Sequence, residues 1–389
     1  MKKLLITILL SLSLAFNVDA ATVTKSIGSG SRDYSTVTLW EADLDNVGVY
    51  ATGDDAVGEM YNDSAFTESN ATVTIDGGGT VGLNSVKLSV ASGQRHDGTA
   101  GTGARFQHSS GTVAMMDLFP LAGTNKLIVE WLEVDANGLS KLHMIESINA
   151  TNGRVPVIQR LLVHGPTGSS QLFAISCGTR DALVQNNIIY DIGPAVGSTG
   201  GDVYGINCDT DQANGGILNN TVFNVTSTSS GLSDAVGIRS LTDDVDKRVR
   251  NNISMETSSV GGIAADFTFS GSTNGVSSNN LSEDATADDG GGSDHQISKT
   301  VANQFVSTTG GSEDLHLKTG SDAIDTGVDL ATTPTGVNFD IDNRDRDAQN
   351  DVWDIGADEF VAVAVAAPSR TFDVKARGGV KVKGGVKFK

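Results

Sequence analysis

Apolar and polar residues alternate in short segments that recur along the chain with a nearly constant period. Aligned segments begin at positions 130, 159, 186, 219, 251 and 279, in steps of 29, 27, 33, 32 and 28 residues. A second set lies between them and begins at positions 144, 174, 205 and 237, in steps of 30, 31 and 32 residues. Two independent markers with one period indicate an internal structural repeat.

Each repeat contains two or three of these segments, separated by Gly, Asn, Asp and Ser. No repeat has a helical pattern of ten residues, which argues against leucine-rich and helical solenoids. A single coil cannot bury its inner face alone, whereas stacked coils share one continuous core. The pattern therefore predicts an all-β solenoid, a parallel β-helix with coils about 4.8 Å apart.

Pairs of asparagines open four of the aligned segments. A side-chain amide at a corner between two strands can both donate and accept, and it satisfies backbone groups that the turn leaves free. The alternative is a set of exposed turn asparagines. We expect the second residue of each pair to stack from coil to coil, as a ladder of Asn187, Asn220, Asn252 and Asn280.

The two cysteines fall at equivalent positions of neighbouring repeats. Strand alternation points Cys177 and Cys208 inward, as it does Ile145, Ile175, Ile206 and Ile238. Stacked neighbours have Cα atoms about 4.8 Å apart, within the range of a disulfide. Two forms are open: buried free thiols that pack as small apolar groups, which we favour, and a disulfide, which export would allow.

The two ends of the chain differ from its repetitive middle. Two lysines, an apolar run from Leu4 to Leu14 and the sequence Val18-Asp19-Ala20 predict a signal peptide over 1–20, with a membrane anchor as the alternative. YSTVTLWEADL at 34–44 predicts a capping helix that Ser35 begins, with Val37, Leu39 or Trp40, and Leu44 on its apolar side. We therefore expect a secreted or cell-surface protein.

We divide the chain by composition and regularity. The predicted parts are the signal peptide at 1–20, an N-terminal cap with irregular coils at 21–117, regular coils at 118–290, terminal coils at 291–361, a linker at 362–369 and a basic tail at 370–389. The part at 21–369 has 18 basic and 45 acidic residues, and the tail has seven basic and one acidic. Such an acidic body repels nucleic acid, whereas the tail is suited to an anionic surface or another chain.

Two segments near the end carry a family resemblance: DLHLKTGSDAIDTGV at 314–328 and DIDNRDRDAQNDVWDIGADEF at 340–360. With the Asn repeats, they resemble the secreted right-handed parallel β-helix proteins of the pectate-lyase-like superfamily. They are most similar to surface β-helix proteins that end in AID-x-G…DIGA-x-E. The residues that carry the resemblance are His316, Leu317, Gly320, Ser321, Ala323, Ile324, Asp325, Gly327, Asp340, Asp342, Asp354, Ile355, Gly356, Ala357 and Glu359.

The resemblance covers about residues 118–360 and implies a right-handed coil. It implies polysaccharide as the ligand class, although the fold alone does not fix an activity. Lyases of the superfamily use a Lys or Arg base with acidic Ca²⁺ ligands, and hydrolases and tailspikes use paired carboxylates in an outer groove. No lyase signature occurs in this sequence.

The best candidate site lies on the outward positions that follow the second marker. Arg239 lies among carboxylates of neighbouring coils, an arrangement that is suited to general acid–base catalysis. The alternative is a solvated acidic face with one arginine that compensates part of its charge. The candidate catalytic residues are Arg239, Asp209, Asp211 and Asp243. The candidate ligand-binding residues are Glu146, Asn207, Asp202 and Asp244.

A Ca²⁺ site is the only cofactor that the sequence suggests. Asp340, Asp342 and Asp345 alternate loosely, as the ligands of Ca²⁺ loops do, but the glycine and the twelfth-position acid of an EF-hand are missing. The alternative is a structural role in the terminal coil. The six histidines are scattered, which argues against zinc.

Three functions are compatible with these patterns. The favoured one is an exported β-helix that binds polysaccharide or serves as an extracellular interaction scaffold. The second is a polysaccharide-cleaving enzyme, a lyase or glycoside hydrolase, which the small number of aromatic residues disfavours. The third is a phage-derived tailspike or fibre, which the predicted signal peptide disfavours.

Overall fold

Three parallel sheets wind around one core in the computed structural model of the chain. The structure describes residues 20–63, 66–68, 71–111, 114–119, 126–148, 155–167, 171–178, 182–193, 201–208, 215–229, 231–241, 248–270, 276–349 and 352–362. They form a right-handed parallel β-helix of about seven turns with very little helix, which confirms the predicted fold class.

Strands are numbered in chain order, and each complete coil from β2 to β22 contributes one strand to each sheet. Sheet A contains β1 (Thr22–Ile27), β2 (Asp55–Met60), β5 (Ser85–Val90), β8 (Lys126–Glu130), β11 (Val157–Gln159), β14 (Leu183–Gln185), β17 (Gly216–Leu218), β20 (Arg248–Arg250) and β23 (Val276–Ser278). Sheet B contains β3 (Phe66–Glu68), β6 (Arg105–His108), β9 (Glu133–Asp135), β12 (Leu162–His164), β15 (Ile188–Ile192), β18 (Thr221–Ser227), β21 (Ile253–Ser259) and β24 (Leu281–Ser282). Sheet C contains β4 (Val73–Ile75), β7 (Met116–Leu118), β10 (His143–Ser147), β13 (Leu172–Cys177), β16 (Val203–Cys208), β19 (Ala235–Ser240) and β22 (Ala264–Phe269).

The parallel register stacks like residues over like inside the coil. The inward isoleucines of sheet C are partners from coil to coil: Ile145, Ile175, Ile206 and Ile238. All four belong to the main hydrophobic core and are almost fully buried. Cys177 and Cys208 are likewise register partners, with Cα atoms 4.4 Å apart, and a disulfide joins them. The structure thus contains the bonded form rather than the free thiols that we favoured.

The predicted asparagine ladder is present at the corner between sheets A and B. The Nδ2 atoms of Asn187, Asn220 and Asn252 each donate to the Oδ1 atom of the next ladder residue, at 2.9 to 3.0 Å. The same oxygens accept the backbone N–H of the preceding ladder residue. All four ladder residues are fully buried, so the exposed-turn alternative is wrong.

The first asparagine of each pair has a different role. These residues adopt the left-handed backbone conformation, with φ between 52° and 56°, which Asn tolerates better than most residues. Their side chains point away from the core and donate to carbonyl groups of the C-terminal segment, by which we mean the described chain after residue 296. Asn219 donates to Val337, Asn251 to Val328 and Asn279 to Thr326.

The C-terminal segment lies along the side of the column and builds a second core. Residues 293 and 296 make the last parallel bridges, and the chain then forms an antiparallel hairpin of β25 (Phe305–Thr309) and β26 (Ser312–Leu317). Its apolar residues, including Leu315 and Ile355, pack on outward residues of sheet B such as Tyr190 and Phe223. From the sequence we expected this segment to form further stacked coils. It covers the outer face of sheet B instead, because strands that are apolar on both faces must be buried on both.

Short helices complete the fold: α1 (Val37–Ala42) and 3-10 helices at Thr286–Asp288, Val301–Asn303 and Arg346–Ala348. Thr36 rather than Ser35 caps α1, since its side chain accepts from the backbone N–H of Leu39. Trp40 faces the core, whereas Leu39 is 51% exposed. Within the described ranges, no helix is long and apolar enough to cross a membrane. The predicted signal peptide through residue 19 and the chain from residue 363, with the tail, lie outside the described residues.

Candidate functional site

One row of outward residues runs along sheet C parallel to the axis of the column. The strand register aligns one residue from each of six consecutive coils. Three of them are predicted site residues, which the structure thus places at equivalent positions. We call this set the polar row: Asp117, Glu146, Ser176, Asn207, Arg239 and Thr268.

Several members of the polar row have polar atoms without a hydrogen-bond partner. Among the described residues, these include Oδ1 of Asp117, Oδ1 of Asn207 and Oγ1 of Thr268, and all three atoms are buried. A buried polar atom without a partner is costly, and it commonly marks a place for water or a ligand. The polar row therefore offers free hydrogen-bonding capacity on several coils.

A second outward row lies three residues before the polar row on the same strands. His143, Phe173 and Tyr204 are register partners, and their rings stack with centroids 4.8 and 5.0 Å apart. Val236 continues the row on the next coil. Our sequence reasoning missed this row, although an aromatic or imidazole ring three residues before Glu146, Ser176 and Asn207 was a visible signal.

The two rows meet in a groove of about 320 Å³. We call it the arginine groove, and its lining is Asp202, Tyr204, Asp234, Val236, Arg239, Ile263, Thr268 and Ser270. Nη1 of Arg239 donates to the hydroxyl of Tyr204 at 2.8 Å, and its guanidinium lies 5.1 Å from the ring centroid. The Tyr204 hydroxyl in turn donates to Asp202 at 3.1 Å.

Backbone groups fix the two carboxylates of the arginine groove. Asp202 accepts the N–H of Asp234 on the next coil at 2.9 Å, and Asp234 accepts the N–H of Ile263 at 2.8 Å. Burial raises the pKa of Tyr204 to about 12, so its hydroxyl stays neutral at physiological pH. The groove thus presents fixed acceptors, a guanidinium and the apolar side chain of Ile263, which is 60% exposed.

Two carboxyl groups stand at the other end of the polar row. Burial raises the pKa of Asp117, and burial together with the charge of Asp117 raises the pKa of Glu146. Nδ1 of His143 lies 3.7 Å from Glu146, and burial lowers the pKa of that imidazole to about 4. This arrangement provides two carboxyl groups that hold protons more readily than usual, beside a neutral imidazole.

The remaining predicted site residues fall into two groups. Asp209, Asp211, Asp243 and Asp244 lie outside the described residues. The three Ca²⁺ candidates lie instead on the C-terminal segment. Asp340 accepts backbone N–H groups of Asp342 and Arg344, and Asp345 caps the 3-10 helix at Arg346–Ala348.

Asp342 belongs to a cleft of about 600 Å³ between the C-terminal segment and the loop after β5, which we call the histidine cleft. His316, Asp342 and Asp358 have ligand atoms close enough together for one metal ion. However, Arg344 already pairs with Asp342 at 2.5 Å and with Asp358 at 3.3 Å. Burial opposes a charge on His316, yet Asp342, Asp358 and Asp314 raise its pKa to about 10.

The guanidinium of Arg344 thus already occupies two carboxylates of this cluster, so the cluster fits a metal ion poorly. A second set of possible ligands, Glu133, Asp135 and His164, lies on the outer face of sheet B. Its carboxylates already accept N–H groups of Gly101 and Asn137. Both clusters therefore serve the fold through internal hydrogen bonds and ion pairs.

We expect the melting temperature to fall by several degrees between pH 7 and pH 10, because His316 loses its proton. Its folded-state pKa of about 10 lies above the unfolded value of about 6.5. The stabilisation is therefore complete below pH 6.5 and is lost as the pH rises toward 10. Thermal unfolding of the protein and of His316→Gln across this range measures the effect.

The melting temperature of His316→Gln should change less with pH than that of the unmodified protein. His143→Gln is the matched control, because the pKa of His143 of about 4 lies below the range. An equal decline in the unmodified protein and in His316→Gln would show that another group titrates.

A scan against protein-family models finds no match for the chain, and a search of curated proteins finds no similar one. The function must therefore be argued from the geometry of the polar row and the arginine groove.

Proposed function

We propose that the protein is an exported or cell-surface β-helix that binds a polysaccharide along the outer face of sheet C. The observation that carries this proposal is the polar row, which aligns one hydrogen-bonding residue from each of six coils. Its residues repeat at the strand spacing of about 4.8 Å. A polymer of regularly spaced hydroxyl groups can engage several coils of such a surface at once.

The chemistry of the arginine groove suits sugar hydroxyls, which both donate and accept hydrogen bonds. Asp202 and Asp234 accept, Arg239 donates, and Ile263 offers an apolar surface for the C–H face of a ring. Among the described residues that line this groove, Arg239 is the only basic one, and two carboxylates flank it. These charges favour a neutral polysaccharide over a polyanionic one in the arginine groove.

A second candidate function is cleavage of the bound polymer, which the pair Asp117 and Glu146 supports. Burial raises the pKa of both groups, which is the direction that favours a general acid. They lie on adjacent coils in one row. Release of reducing ends or unsaturated products from a polysaccharide panel, abolished by Glu146→Gln, would support cleavage; no product on any member would leave binding alone.

The test of binding is a panel of neutral and acidic polysaccharides, assayed by affinity electrophoresis and calorimetry. We expect at least one neutral member to bind, and Arg239→Ala to weaken that binding about tenfold or more. Arg32→Ala is the matched control, since Arg32 pairs with Asp63 near the N-terminal end. Unchanged affinity in Arg239→Ala, or no binding by any polysaccharide, would exclude this surface.

A further inference from the structure

A pocket on the outer face of sheet A concentrates positive charge on an otherwise acidic protein. Its volume is about 310 Å³, and its described lining residues include four cations and one acidic residue, Glu130. The chain as a whole has a net charge of −20. We call it the cationic pocket, and its cations are Lys87, Arg95, Lys126 and Arg160.

Neighbouring coils assemble these four residues. Lys87 and Lys126 point outward from the adjacent strands β5 and β8, where the register pairs Lys126 with Ser85. Arg95 and Arg160 follow β5 and β11, and their guanidinium groups lie 4.5 and 4.8 Å from the ring of Trp131. Two like charges are thus held against the same aromatic ring.

The single acid does not neutralise the cationic pocket. Glu130 pairs with Arg160 at 3.0 Å and with Lys87 at 3.4 Å, and it also accepts from Gln159. Among the described residues, Arg95 and Lys126 have no ion-pair partner. The side chain of Lys126 makes no hydrogen bond there either, and Nε of Arg95 donates to the Val90 carbonyl at 3.4 Å.

Arg160 adds an independent sign of a missing partner. Arg160 is only 6% exposed, yet its Nε atom has no hydrogen-bond partner among the described residues. Burial lowers the pKa of Arg160, the paired carboxylate of Glu130 opposes that shift, and the neighbouring charge of Arg95 adds to it. An anion in the pocket would relieve this repulsion and accept from both guanidinium groups.

We propose that the cationic pocket binds an oxyanion group, a carboxylate, sulfate or phosphate, through Arg95, Lys126, Lys87 and Arg160. The pocket is larger than a single inorganic anion, so it has room for a sugar that bears the group. This site is distinct from the arginine groove, which lies on sheet C, and it does not depend on the proposed function of that groove. Either an acidic polysaccharide or a free phosphate could supply the same chemistry.

Calorimetry of the full chain at low salt tests this proposal with inorganic phosphate and with a uronate oligosaccharide as probes. The variant is Arg95→Gln/Lys126→Gln, which removes the two uncompensated cations and keeps the buried pair of Arg160 and Glu130. We expect binding to weaken about a hundredfold, or tenfold for each cation removed. The control is Lys25→Gln/Lys299→Gln, which removes two partly exposed cations that pair with Asp33 and Asp322.

Each outcome of the titrations supports or overturns anion binding in the cationic pocket. Tighter binding of the uronate oligosaccharide than of phosphate, lost in the pocket variant alone, identifies an acidic glycan as the ligand. Equal or tighter binding of phosphate, lost in the same variant, identifies a free anion. Binding by neither probe, or equal loss in the control variant, would overturn the proposal. Thermal unfolding of all variants verifies that they are folded.

Discussion

Replacing Asn220 by alanine will lower the free energy of unfolding by about 4 kcal/mol, because several buried groups lose partners at once. The Oδ1 atom of Asn220 accepts from the backbone and the side chain of Asn187, and its Nδ2 atom donates to Val184 and Asn252. The site is fully buried, so water does not replace these partners in the folded coil. Chemical denaturation followed by circular dichroism measures the loss.

Asn303→Ala is the matched control. Asn303 is exposed at the end of a 3-10 helix, and we expect its replacement to change the free energy by no more than about 0.5 kcal/mol. Equal effects at the two positions would mean that the asparagine ladder does not stabilise the corner between sheets A and B.

Replacing Arg346 by methionine will cost about 4 kcal/mol and release the C-terminal segment from sheet B. The Arg346 side chain is fully buried, donates to Glu359 at 2.9 Å and to the Gly356 carbonyl at 2.8 Å, and lies over Trp353. Its loss leaves the buried carboxyl of Glu359 without a cation. Burial raises the pKa of that carboxyl to about 7, so the cost should be greater at pH 8 than at pH 6.

Two further variants distinguish the buried ion pair from a general effect of the substitution. Arg344→Met changes a partly exposed arginine two residues away, and we expect a loss of about 1 kcal/mol or less. The double variant Arg346→Met/Glu359→Met should recover about half of the loss, since it removes the unpaired charge. A double variant that is no more stable than Arg346→Met would contradict this explanation. Release of the C-terminal segment would expose the apolar outer face of sheet B, and binding of a hydrophobic dye to that face measures the release.

The repeat made the column predictable because a parallel stack copies each strand position from coil to coil. The equivalence of Glu146, Asn207 and Arg239 follows from the period alone. So does the asparagine ladder, because the corner leaves the same backbone groups free in every coil. The bonded state of Cys177 and Cys208 does not follow from the period, since their shared inner position suits both a disulfide and free thiols.

The lateral position of the C-terminal segment was not predicted, although its signal is visible in hindsight. In β15, Ile188 and Tyr190 point outward while Ile189 points inward, so the strand is apolar on both faces. Such a strand needs a cover on its outer side. The first asparagine of each pair was missed for the same reason, because its partners are carbonyl groups of that distant segment.

The cationic pocket could not be predicted from the repeat period, because its residues come from non-equivalent positions of the coils. Lys87 and Lys126 occupy neighbouring strands but different register positions, and Arg95 and Arg160 come from turns. Repeat alignment brings together only equivalent positions, so it does not reveal a site assembled from non-equivalent ones. Whether such residues meet in one pocket depends on the conformation of the turns, which the period does not determine.

The most direct test of the proposed function is hydroxyl-radical footprinting of the protein with the neutral polysaccharide that binds best in the panel. Ile263, beside Arg239 in the arginine groove, should become protected, whereas Val47, which is 77% exposed near the N-terminal end, should be oxidised as before. Protection of Ile263 that disappears in Arg239→Ala is the predicted result. An unchanged footprint at Ile263 while the polysaccharide is bound would contradict the assignment of the outer face of sheet C as the binding surface.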